Sequence, residues 1–406
     1  MEKEAINQAM LTLFSDVHRP FFAGGILFAI VSIGLWTLHL LGYLSYALPI
    51  AQAHIHMAQI IYFFFPFYFF GFLLTVFPRL MSVPTIPPRT FTPLFLMYFS
   101  GALIFTIGLY ADEIWIHTGV LIATLGFAMV AYQLLRVLQR STYPHKRMTA
   151  FMLTGTMFGL IGMLVLIYFF QTDSSAAGRL AESIGLYGFL LPTIYAVIYR
   201  MVPMFTAHSG REVMRARYGL PLVFFFSLFH MVLAAMGMFT YYWLADLGLL
   251  LTVGYQLWQW KIWLRKPLLI QSILHWALFW FPLAFLLSAG TSFAEWLADE
   301  RWLYMEQAAL HALVVGGFGT LLLGMATRVT LGHAGLPVMT DRYTNILFFC
   351  FQAVPVLRVI GGLLSDSIDM TQTGIRASGI AWVIFFGLWA CRYLPFYFRP
   401  HASGQR

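Results

Sequence analysis

Apolar runs of about 20 residues, the length a membrane-crossing helix needs, recur along the whole 406-residue chain and are broken by short polar stretches. Read in order, they predict crossings near 20–42, 54–78, 91–110, 114–135, 149–170, 181–199, 219–239, 241–263, 269–289, 303–327, 342–364 and 376–397. Some pairs, such as the third and fourth, are separated by only a few residues and read as helical hairpins. The pattern therefore predicts an all-α integral membrane protein, with about twelve transmembrane helices in one bundle. Residues 1–19 read as a cytoplasmic or interfacial lead segment. Residues 20–397 read as a single transmembrane domain, and 398–406 as a cytoplasmic tail. The lead segment holds Glu2, Lys3, Glu4 and Asp16 and lacks the basic flank and cleavage site of a signal peptide, so it is expected to be retained.

Composition agrees with a lipid-facing surface. Charged residues are only 10% of the chain, whereas a soluble domain covers itself with about a quarter. The net charge of +8 would suggest nucleic acid in a soluble protein. Here the basic residues sit in short loops, so the lipid bilayer is the expected partner and nucleic acid is not. With the N-terminus inside, 20 of the 24 basic residues fall in inner segments. Arg179, Arg301 and Arg376 fall outside, and Arg358 lies within a span. That asymmetry follows the positive-inside rule and predicts cytoplasmic termini. Cys350 and Cys391 form no CxxC or CxxCH pattern, which argues against a disulfide framework and against covalent haem attachment. Walker A, HExxH and GxSxG segments are absent, so phosphate hydrolysis and hydrolase chemistry have no support.

The intramembrane histidines carry the candidate chemistry. His54 and His56 stand at the outer end of the second span, and His311 about two turns into the tenth, at a similar depth. Neutral imidazole suits haem iron and copper. Residues two apart on a helix are separated by about 200°, so His54 and His56 are expected to serve different partners. The bland alternative is a wet histidine pair at a helix end. His230, near mid-membrane, and His275, in the inner third of the ninth span, are further candidate metal ligands or parts of a proton path. Arg358 has the chemistry to hold a carboxylate such as a haem propionate; snorkelling, or pairing with Glu306 or Asp366, is the alternative. Ala308, Ala312, Gly316, Thr320, Gly324 and Arg328 recur every four residues and read as a smooth helix-packing stripe that could also take a flat macrocycle. The aromatic run Tyr62–Phe70 around Pro66 reads mostly as lipid-facing, with a kink at the proline.

Three segments together resemble the NnrS family. They are Arg19-Pro20-Phe21-Phe22; His54-Ile55-His56 with Gln59, Gly71–Thr75 and Pro78-Arg79; and His311–Gly316 continuing through Met325–Gly335. Arg200–Thr206, followed by His208, and the region of His275 are similar too, so the resemblance runs from about residue 18 to 340. It implies a bacterial inner-membrane protein that holds non-covalent b-type haem, with copper, and acts in nitric oxide metabolism or nitrosative stress. By motif position it carries the metal-ligand role to His54, His56 and His311. Arg19, Arg79, Arg200, Arg328 and His333 are further motif members. Many relatives read His-Glu-Met where this chain has His56-Met57-Ala58, so any role of that glutamate is absent or moved here. The expected ligand is nitric oxide or a metal–nitrosyl, and any turnover would be haem redox chemistry fed by a membrane electron donor. A proton-coupled transporter without a metal centre is the rival reading.

Overall fold

The computed structural model describes residues 2–46, 52–207, 215–261, 269–300, 302–339, 341–364 and 368–400. His208, Arg301 and Asp366 lie outside them. All regular structure among the described residues is helical. Among the described residues, ten helices are long and apolar enough to cross a membrane, and the chain is a multi-pass membrane protein. Each expected crossing falls on a helix, but two miss that measure. Gly219–Ala235 has 17 residues, and Tyr242–Trp260 carries Asp246, Gln256 and Gln259.

The residues gather into two compact units. The first holds Met1–Thr193, His333–Gly335 and Ala390–Arg406; the second holds Ile194–Gly332 and Leu336–Trp389. In the first, helix Gln52–Leu80 is central, with 83% of its most apolar stretch buried. A helix apolar on every side suits a core or lipid alike, and here helix packing puts it in the core. The aromatic run accordingly corrects the lipid-facing expectation: Tyr62, Phe63, Phe64, Phe65, Phe67 and Phe70 are all at most 1% exposed. Phe63 stacks on Phe105 and Phe67 on Phe28, while Phe70 meets Phe127 edge-on. The Tyr62 ring fills space left by two missing side chains, those of Gly162 and Gly185, and its hydroxyl donates to the Ala181 carbonyl at 2.5 Å.

Among the described residues, three spans leave the α-helical path. Residues Gln59–Phe64, Ile184–Leu190 and Ala312–Gly319 are π-helical, and they lie in the three most buried spans. Such segments inside α-helices are uncommon and frequently fall at functional sites. The first has a visible local cause. Pro66 has no N–H to return to the Tyr62 carbonyl four residues earlier, and the Tyr98 hydroxyl donates to that carbonyl instead. The third segment divides the stripe of small residues. Ala308 packs against Gly362, while Gly316 lies under the Trp280 indole. Trp280 donates through Nε1 to Gln352 at 2.8 Å, and Gln352 reaches Thr320 at 3.3 Å. The stripe is thus used for helix packing.

Candidate functional site

In the first unit, His54 and His56 open the span that turns π-helical at Gln59. Their rings diverge, as a two-residue spacing on a helix requires. His56 stacks on Trp36 (centroids 4.5 Å, planes 18° apart), whereas His54 packs on Phe169 and against Gly178. One turn below His56 lies Gln59, fully buried, with neither side-chain amide atom hydrogen-bonded.

In the second unit, His311 ends the α-helical part of its span directly before the π segment. Its Nδ1 lies 2.7 Å from the Gln307 carbonyl oxygen. A carbonyl only accepts, so Nδ1 carries the proton and Nε2 keeps the lone pair. This is the arrangement by which metal-binding histidines are oriented. Arg358 lies on the helix packed against the His311 turn, one turn from Gly362, which abuts Ala308 and the Tyr304 carbonyl. It is only 8% exposed, and its Nη1 has no hydrogen-bond partner. A buried cation left in this state is costly, and a carboxylate from a bound group would satisfy it.

His230 sits in a separate cluster of the second unit. Its Nδ1 is 2.8 Å from Asp246 Oδ1, and Ser288 Oγ donates to Asp246 Oδ2 at 2.6 Å. Tyr242 covers the imidazole at 4.0 Å, and Asp246 is wholly buried. Asp246 was legible as a lone carboxylate inside an expected span, a signal of function by default. His275 is half-buried.

The remaining motif residues divide between structure and surface. Arg19 is buried and pairs with Asp16 at 3.2 Å. It also donates to the carbonyls of Tyr397 (3.2 Å) and Arg399 (2.9 Å). It fastens the start of the first span to the end of the chain. His333 packs on His18 with centroids 4.2 Å apart, a pairing for which sequence spacing gives no signal. Arg79 is exposed, and Arg200 and Arg328 are half-buried at their span ends.

No three His, Cys, Asp or Glu side chains among the described residues converge as a metal cage. A haem with two axial imidazoles does not need one. His311, with its oriented imidazole, and Arg358, with its unanswered donor, fit that group. His54 and His56 belong to one unit and His311 to the other.

These features define a polytopic helical membrane protein with oriented histidines in its most buried spans. The NnrS protein family matches residues 12–401, nearly the whole length, and the chain belongs to that family. Among curated proteins, none matches it.

Proposed function

We propose that this protein is a haem-binding NnrS-type protein of the bacterial inner membrane that binds or processes nitric oxide, or relieves nitrosative damage. The observation that carries the reading is the pairing, in one unit, of His311 with Nδ1 fixed by Gln307 and the buried Arg358 with an unanswered Nη1. His311 would supply an imidazole nitrogen to a haem iron, and His54 and His56 are the candidate ligands within the first unit. Arg358 would receive a propionate. Bound haem would supply an iron that takes nitric oxide and passes electrons from a membrane donor. Copper at His230 or His275 extends the reading, which also takes the termini to be cytoplasmic.

The test is an optical spectrum of detergent-purified protein, oxidised and then dithionite-reduced, with and without nitric oxide, beside iron and copper analysis. A Soret band that shifts with nitric oxide and is lost in His311→Ala supports the reading. A featureless spectrum, with no iron and no reconstitution by haem, rejects it.

The rival, proton-coupled transport without a metal, draws on one observation: the wholly buried Asp246 joins the buried His230 to the half-buried Ser288, a chain with the chemistry to hold a proton. It expects solute uptake that needs a proton gradient and is lost in Asp246→Asn.

A further inference from the structure

One face of helix His18–Leu40 presents Phe21, Gly25, Phe28, Ser32, Trp36 and His39 at steps of three or four residues. Four of these touch helix Gln52–Leu80 in antiparallel order. Phe21 meets Phe70, Gly25 meets Tyr68, Phe28 meets Phe67 and Trp36 meets His56. That register places Ser32 opposite Ile61, within one turn of Gln59 and one turn below the Trp36–His56 stack. Ser32 is wholly buried, and its hydroxyl has no hydrogen-bond partner; the Gln59 amide is in the same state. Two orphaned polar side chains thus lie within about one turn of each other, where the helix is π-helical and its backbone bonds are rearranged.

Above this level the polar rings continue toward the end of the unit. Trp36 stacks with His39 at 6.0 Å and His39 with Tyr46 at 4.6 Å, and Tyr46 meets Tyr110 at 5.4 Å. All four are half-buried, in contrast to the closed base. The His39 Nδ1 is buried without a partner. Burial, then the neighbouring Tyr110, holds the Tyr46 phenol well above its ordinary range, so it remains a neutral donor at physiological pH. Protein interiors satisfy such groups with ordered water when side chains do not. An apolar residue would be cheaper at each of these positions if the region were dry.

We propose that this file of residues, from Tyr110 and Tyr46 past His39 and His56 to Ser32 and Gln59, is a water-filled inlet. It delivers water and protons from the end of the first unit that carries Tyr46 to a polar pocket at Gln59. The inlet is independent of the reading above, since a haem protein and a transporter would use it alike.

Thiol accessibility tests it. In full-length protein with Cys350→Ala and Cys391→Ala, single thiols are placed by Ser32→Cys, Gln59→Cys and Ala58→Cys. Ala58 is as deeply buried as its neighbour but faces about 100° away. Aminoethyl methanethiosulfonate, a small water-borne reagent, is expected to label the first two at least about tenfold faster than the third, because thiol reactivity requires access. His39→Leu should slow both. Equal slow labelling at all three positions overturns the proposal. Gln59→Leu decides independently if the cysteine variants fold poorly. A hydrated pocket loses its water ligand, and the melting temperature falls. A dry one sheds an orphaned amide, and the melting temperature rises, which also overturns the proposal.

Discussion

Tyr98→Phe isolates the bond that supports the first π segment. The wild-type hydroxyl donates to the Tyr62 carbonyl, whose helical partner would be the N–H that Pro66 lacks. Both tyrosines are fully buried. Removing one partner of a buried hydrogen bond leaves the other desolvated, at a cost of about 1–3 kcal/mol. For a unit of about 200 residues each kcal/mol moves the melting temperature by about 2–4 °C, so Tyr98→Phe should lower it by roughly 2–12 °C. Adding Pro66→Ala returns an N–H able to reach the Tyr62 carbonyl. The Tyr98→Phe penalty measured in that background should shrink to less than about half, a coupling that a double-mutant cycle isolates. The assay is thermal unfolding of detergent-solubilised protein, followed by circular dichroism in the helical band. An unchanged melting temperature in Tyr98→Phe, or the same penalty with and without Pro66, would refute the reasoning.

Other outcomes follow from the same geometry. Gly162→Ala drives a methyl into the Tyr62 hydroxyl and should destabilise by about 1–3 kcal/mol; Tyr62→Phe in the same chain should recover part of it in the same melting assay. Asp246→Ala leaves His230 and Ser288 without their shared acceptor and should cost about 3–5 kcal/mol, with Asp246→Asn milder. Arg19→Met removes the ties to the Tyr397 and Arg399 carbonyls. Limited proteolysis should then trim the C-terminus faster while the helical signal is kept. In haem-loaded protein, Arg358→Met should weaken retention of haem to apomyoglobin by about tenfold, the loss of one charge-assisted contact, and equal transfer rates would count against a propionate partner.

The sequence by itself determined the solvent and the class of the chain. Apolar runs of membrane length and a 10% charged content leave only a helical bundle, because lipid offers no partner for open backbone groups. It also marked His54, His56, His311, His230 and Arg358, since an ionisable group is expensive there whatever surrounds it. Burial of the Tyr62–Phe70 run was beyond it, because an aromatic face toward lipid and one toward a core are equally apolar. The π segments were hidden too. They depend on tertiary compensation, such as Tyr98 answering a carbonyl 36 residues earlier. The partners Gln307, Asp246 and Trp36 likewise appear only once helices are packed, since which neighbour fixes a histidine's proton is a matter of distance in space. Periodicity could propose the stripe from Ala308 to Arg328, but only the packed helices could say that Gly362 and Trp280 occupy it.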